Sequence, residues 1–338
     1  MNLNERAKRI LLKQEFLSLV LIVVFCAVFG AVNPTFFSIV NVYDLLKICS
    51  YPAIFACGVM IVLINGGIDF SFMWVGMFAA YSTSKLFSIL QVQHEIFVPL
   101  TLIYLTCIAI GAMLGSFNAL LVSKFKVPVF IATLSSANIF MGIMFRFIGA
   151  EYIFPEQMPR RMIEFSNHLL VTTTTGDGRT VGLHVSVAVA AAVLLLVHFV
   201  MKYTLMGRSV YALGGDIAST ERVGFNLNRV RLFIYMLAGA IAGLAGGIGV
   251  SNIQVANPYD FQGREMTVIA AVVIGGTRIT GGKGSVIGVV LGVLLTNILS
   301  QNLVLIGVPP EYNKFVFGLL ILFAAAVQAV QEKIEKGK

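Results

Sequence analysis

The sequence predicts an all-α integral membrane protein with about ten transmembrane segments, some of them half-helices broken at glycine. Three observations predict it. Hydrophobic residues make up 58% of the chain and charged residues 12%, about half the charged share of a soluble domain. The mean hydropathy is +0.89. Apolar runs close to the roughly twenty residues needed to cross a bilayer recur along all 338 residues, which leave room for about eight to eleven spans.

The net charge of +8 is explained within this class. Lys and Arg gather in short loops and at both ends, where membrane insertion favours them on the cytoplasmic side. Membrane lipid is the expected surroundings, and a nucleic-acid partner is not expected. The four cysteines, Cys26, Cys49, Cys57 and Cys107, lie in or beside apolar runs without Cys-x-x-Cys spacing. They read as small reduced core residues.

Residues 1–15 form a basic cytoplasmic N-terminus, and 16–32 a first span. No small-x-small cleavage site follows it, so the span is expected to be retained rather than removed as a signal peptide. Asn33-Pro34 breaks it, and 36–47 read as an interfacial segment with aromatics at headgroup level. Spans at 48–64 and 72–90 flank a polar break, Asn65-Gly66-Gly67-Ile68-Asp69-Phe70-Ser71. A fourth span, 99–122, ends in the basic loop Ser123-Lys124-Phe125-Lys126, and a fifth covers 128–148. The long polar stretch 149–182, with a threonine run at 172–175 and Asp177, is extracytoplasmic by alternation. Arg160 and Arg161 sit in it against the charge rule. Residues 183–201 form a sixth span.

The polar run 202–231 that follows organises the chain. It carries Lys202, Arg208, Arg222, Arg229 and Arg231 and is therefore cytoplasmic. Gly214-Gly215-Asp216 followed by IASTERV puts an acid at a helix start, where the helix dipole favours it, and Gly224 supplies the stop. A short, capped, mixed-charge helix has little reason to lie against a membrane, so the run reads as the docking surface of a cytoplasmic motor.

A seventh span, 232–250, has Gly239, Gly243 and Gly247 every four residues, a face on which two helices pack closely. The apolar run 266–274 is too short to cross and ends in GGTRITGGKGS, Gly275 to Ser285. Irregular backbone at membrane depth is tolerated where it lines a cavity or is buried in protein. Spans at 286–306 and 315–330 and a charged cytoplasmic tail, 331–338, complete one transmembrane domain over 16–330. The breaks at 65–71 and 275–285 form a weak internal echo, as the repeats of transporters do. Alternation places both on the same side.

The glycine run is not a phosphate loop, because Thr277 stands where that motif needs Gly and Gly284 where it needs Ser or Thr. Gly275, Gly276, Thr277, Gly281, Gly282 and Gly284 read instead as a turn between membrane half-helices. His94, His168, His184 and His198 are scattered and form no ligand or acid–base set. Asp69 has two readings: a cap on the helix that starts near Phe72, or a substrate or gate residue at membrane depth. Asn65 and Asn118, flanked by apolar residues, offer hydrogen bonds to a polar solute or to a neighbouring helix. Phe70, Phe72, Trp74 and Phe78 form either an aromatic wall for a sugar or ordinary lipid-facing or core aromatics.

Four stretches resemble the permease subunits of ABC-type sugar importers of the ribose/xylose/galactose branch. In the cytoplasmic loop, Gly207, Arg208, Tyr211, Ala212, Gly214, Gly215, Gly224 and Asn226 fit that family's pattern. NGGIDFS is similar to its Ser-Gly-Gly-Ile-Asp-Leu-Ser, KVPVFIATL to its Val-Pro-x-Phe-Ile-x-Thr-Leu, and VIAAVVIGGTRITGGKGSVIG to its Gly-Gly-Thr signature. The stretches follow the family's order from Asn65 to about residue 323. The departures are Asp216 for the usual Asn, Ser219-Thr220 for an Ala pair, and Asn65 for Ser.

The resemblance implies a transport subunit rather than an enzyme, in the bacterial inner membrane with both ends cytoplasmic. It implies a dimeric pore made with a second permease copy or a paralogue. It also implies a cytoplasmic ABC ATPase that binds the ATP, so that this chain needs no cofactor, and an extracytoplasmic solute-binding protein. Gly207, Arg208, Gly214, Gly215, Asp216, Glu221 and Gly224 would belong to the coupling loop, and Asn65, Asp69, Phe70, Trp74 and Asn118 to the solute path. The solute is expected to be a monosaccharide, with nucleoside, vitamin and branched-chain amino acid permeases as related alternatives. The rival class, an ion-coupled transporter working alone, needs a buried ionisable relay, for which Asp69, Arg146 and His198 are the candidates.

Overall fold

The computed structural model of the chain describes residues 14–94, 97–174, 176, 178, 180–305 and 307–336. The basic stretch 1–13, Thr175, Asp177 and the final residues 337–338 lie outside the described residues. Helix α1 covers Gln14–Val32, α2 Ile39–Ile64, α3 Phe72–His94, α4 Leu100–Ser123 and α5 Val129–Ile143, which a π-turn extends to Ile148. The short α6, Arg160–Ser166, precedes a hairpin of β1, Leu169–Thr174, and β2, Thr180–His184. Then come α7, Val185–Tyr203, α8, Leu205–Gly215, α9, Ile217–Arg222, and α10, Leu227–Ile253. The half-helix α11, Glu265–Ile274, α12, Val286–Leu305, and α13, Asn313–Lys336, complete the chain.

Seven of these helices are long and apolar enough to cross a membrane: α1, α2, α4, α5 with its π-turn, α7, α10 and α12. Helix α3 has the length, 23 residues, but is less apolar, and α11 and α13 contribute shorter apolar stretches. The all-α membrane fold is as expected. Two expectations are corrected. Residues 36–47 are not set apart from the second span: Ser38 caps α2, its hydroxyl accepting from the Asn41 amide, and the helix runs unbroken from Ile39 to Ile64. The stretch 149–182 is not merely a loop, because its threonine run pairs across the hairpin, Thr174 opposite Thr180.

Helices α2 and α10 form the centre, with 78% and 72% of their most apolar stretches buried, against 11% for α1. The low value for α1 marks it as peripheral, with Val23, Val24 and Val28 turned outward as a bilayer permits. The expected glycine face on α10 exists, and its partner is a matching pair on α4. A Cβ at Gly239 would land on the Gly111 carbonyl oxygen, and one at Gly115 on the carbonyl of Tyr235. The absent side chains let two backbones touch, which is how helices associate where lipid is as apolar as protein.

The connections sort to two faces. One gathers the break 65–71, the start of α5, the loop 202–231 and the break 275–285. A Cβ at Gly67 would meet Val129, and the Gly282 amide donates to the Ile64 carbonyl at 2.8 Å. Both glycine breaks therefore lie on the same side, as alternation predicts. The opposite face gathers the hairpin and the turn after α10. Ile153 and Ala256 exchange backbone hydrogen bonds at 3.1 Å, and the Arg160 amide donates to Gln91 on α3. Arg160 and Arg161 both pair with Glu164, at 3.0 and 2.7 Å, and Arg161 lies over the Phe97 ring. A local carboxylate thus offsets the two arginines that stand against the charge rule.

Candidate coupling surface and translocation path

The loop 202–231 folds as two helices, not one. Thr204 caps α8, its hydroxyl accepting from the Gly207 amide at 3.0 Å. Gly207 lies against the carbonyls of Val200 and Met201, which lets α8 fold back on the end of α7. Asp216 caps α9, as the sequence suggests: one carboxylate oxygen accepts from the Ala218 amide at 3.0 Å and the other from the Ser219 hydroxyl. The Ser219 hydroxyl bond, followed by the amide bond, holds the Asp216 carboxyl below its usual range. Gly224 ends the turn at φ +92°, and Asn226 caps α10 by accepting from the Arg229 amide. Arg208, Asp216 and Glu221 are exposed, as are the apolar Ile217 and Val223 at 51% and 76%.

The first break places Asn65 at the C-terminal end of α2. Asp69 caps the following helix: one of its carboxyl oxygens accepts from the Ser71 amide at 2.6 Å and from the Ser71 hydroxyl at 2.7 Å. The amide of Asn118, reaching from α4, donates to the same hydroxyl at 2.7 Å. Thr133 of α5 accepts from the Phe70 amide at 3.1 Å. Asp69 is 5% exposed and Asn118 1%, so both face protein in this conformation. The Asn118 carbonyl oxygen and the Tyr235 hydroxyl have no hydrogen-bond partner. Of the aromatics, Phe70 in the break meets Phe130, and Trp74 and Phe78 of α3 meet Phe145 of the π-turn and Phe140 of α5, an edge-on seam. Phe72 turns the other way, onto Phe55 in the core.

The second break is held by side chains from both ends of the chain. Ser18 of α1 donates to the Ile274 carbonyl at 2.7 Å, and Gln328 of α13 to the carbonyls of Val273 and Thr277 at 3.1 and 3.2 Å. These occupy carbonyls that a broken helix leaves without partners. The Ser285 hydroxyl donates to Glu15 at 2.7 Å. Gly275 lies on the Gly288 carbonyl, Gly276 against Gln14, and Gly284 against Ile64. Gly281 and Gly282 adopt φ of +92° and +76°, which a side chain would strain. Thr277 is buried and its hydroxyl has no partner.

Sequence reasoning missed Ser18, Ser71, Thr133 and Gln328. Ser71 and Thr133 carried a signal, as the last residue of the NGGIDFS stretch and the threonine of KVPVFIATL.

The family of branched-chain amino acid transport system permease components matches residues 41–325 of this chain. The chain belongs to that permease family. The permease is 32% identical over 310 residues to the ribose import permease protein RbsC of Escherichia coli, covering 92% of each chain. It is 31% identical over 334 residues to the galactose/methyl galactoside import permease protein MglC of Haemophilus influenzae, covering 95% of each. It is 31% identical over 279 residues to the fructose import permease protein FruG of Bifidobacterium longum, covering 82% of this chain and 79% of that one. No solved structure matches the chain. Membership makes this a multi-pass membrane transport component, and the family implies an ABC ATPase and a binding protein as partners.

Proposed function

We propose that this permease carries a monosaccharide across the bacterial inner membrane, driven by a partner ATPase that docks on α9. The observation that carries the docking assignment is the surface of α9. Ile217 and Val223 lie exposed beside Asp216, Glu221 and Arg222 on a polar loop, where a protein partner is what would cover them. The face bearing 202–231 is then cytoplasmic, both chain ends are cytoplasmic, and the hairpin face receives the solute-binding protein on 149–182 and the turns near Pro258 and Pro309. The ATPase binds the nucleotide, and this chain supplies no catalytic group.

Transport follows by alternating access in a pore of two permease chains. ATP-driven closure of the ATPase draws the two α9 helices together and shifts the spans above them. The solute passes the break at 65–71, where Asn65, Phe70 and Trp74 line the path and Asn118 and Asp69 become available once the packing around Ser71 opens. Energy enters through the different contacts the ATPase makes with two pore states. The sugar assignment rests on relatives matched over most of their length. The family's own description supports a second reading, a branched-chain amino acid.

The test is to extract the tagged permease gently from its membrane, identify what copurifies, and assay uptake of labelled ribose, galactose, fructose and leucine. The expected result is an ATPase with phosphate-loop motifs that is lost with Glu221→Lys, and uptake of one of the sugars. Leucine uptake alone would replace the sugar reading. A permease that emerges without an ATPase, and whose uptake survives ATP depletion, would overturn the proposal.

A further inference from the structure

The two helices of the cytoplasmic loop differ in burial. Almost all of α9 is exposed, whereas Gly207, Ser209, Val210 and Leu213 of α8 are buried. The last turn of α8 reaches the point where the two glycine breaks meet. Gly214 lies directly on the Ile64 carbonyl, and a methyl group added there would also come within 2.8 Å of the Gly282 nitrogen. The Gly282 amide donates to that same Ile64 carbonyl at 2.8 Å. A methyl group at Gly281 would lie 2.7 Å from the Gly214 carbonyl oxygen and 3.0 Å from the Gly66 nitrogen. Three residues before Gly214 on the helix, the Tyr211 hydroxyl donates to the Gly284 carbonyl at 2.9 Å.

A contact between side chains can absorb a small displacement by changing rotamer. A contact between backbones cannot, because nothing rotatable stands between the segments. At this junction the end of α2, the 281–284 turn and the C-terminus of α8 meet backbone to backbone, and the Tyr211 hydroxyl adds one oriented bond. We infer that Gly214 and Tyr211 are the positioning residues of transmission: a displacement of α9 reaches both glycine breaks together through them, while α9 alone meets the ATPase. The inference rests on the reading of α9 as the docking helix. It separates docking from transmission within the loop, so the two sets of substitutions should fail in different ways.

The experiment follows the movement without needing the solute. A cysteine placed at the exposed Thr280 is labelled with a maleimide in the ATPase–permease complex, with and without vanadate trapping. With Gly214 and Tyr211 intact, trapping should change the labelling rate by about five-fold or more, the low end of measured couplings. Gly214→Ala should still copurify the ATPase and hydrolyse ATP, but the labelling rate should no longer respond to trapping. Where Gly214→Ala fails to assemble, Tyr211→Phe, which removes one hydroxyl and keeps the ring, is measured in the same way and should blunt the response. An undiminished response in an assembled Gly214→Ala complex, or in Tyr211→Phe where that variant decides, would overturn the inference, as would the absence of any response with both residues intact. Loss of the ATPase with Glu221→Lys bears only on the docking reading.

Discussion

Ser71 is expected to be worth more to this permease than Asn118, although the two share a single hydrogen bond. The Ser71 hydroxyl donates to Asp69 and accepts from Asn118, both at 2.7 Å, and is fully buried. Ser71→Ala removes a bond to a carboxyl oxygen and leaves the Asn118 amide buried without an acceptor. Losing a bond and orphaning a buried donor cost about 1–3 kcal/mol each in soluble proteins. Polar pairs between membrane helices average nearer 0.6 kcal/mol, so about 2–4 kcal/mol is expected in total. Asn118→Leu removes the same amide bond but also an amide oxygen that already lacks a partner, so it should cost under about 1 kcal/mol. The double variant removes the orphaned donor that the serine variant creates. It should therefore be less destabilised than the sum of the singles, by about 1 kcal/mol. Reversible unfolding of the detergent-solubilised permease by titrated SDS measures all three. Additive costs, or an Asn118→Leu more damaging than Ser71→Ala, would refute the shared-bond reasoning.

Other outcomes follow from the same physics. Gly115→Leu forces a side chain into the Tyr235 carbonyl and should cost about 3 kcal/mol or more, reading out as loss of monodisperse protein, while Gly142→Leu, with nothing near its Cβ position, should be close to silent. On the opposite face, His184 accepts from the Ser186 amide at Nδ1 and faces the Ser166 carbonyl with Nε2 at 2.8 Å. Burial lowers its pKa below the ordinary 6.5. The unfolded chain then binds the proton first, so this contribution is complete above pH 6.5 and is lost as pH falls below it toward the folded value. A thermal-stability profile should decline through that window in the native chain and flatten in His184→Gln. An unchanged profile in the variant would remove His184 as the cause.

Much of the fold was legible because it depends on composition and local pattern. Apolar runs mark spans whatever they pack against, and glycine every fourth residue marks a close-packing face before the partner helix is known. The Asp216 cap was legible because capping acts over three residues. The segment 36–47 was read apart from the second span because Asn41, Asp44 and Lys47 interrupt the apolar run, whereas the helical backbone continues through them from Ile39 to Ile64. The hairpin was missed because β-propensity depends on the partner strand, and a threonine run reads as polar loop without one.

The candidate site was less legible, for a reason of distance along the chain. The pattern of residues pointed to Asp69, to the loop and to the glycine turn as separate features. Their joining depends on pairs far apart in sequence: Ser18 with Ile274, Asn118 with Ser71, Gly282 with Ile64. No local signal specifies such pairs, since a serine that caps a distant carbonyl looks like any serine in an apolar run. The sequence by itself determined a membrane permease with a capped polar loop and two glycine breaks, because hydropathy and capping are local. Only the tertiary structure decided that Asp69 is sealed beneath Ser71 and Asn118, and that both breaks and the loop meet at one backbone junction. Those arrangements exist only once α2, α4, α8 and the 281–284 turn are packed together.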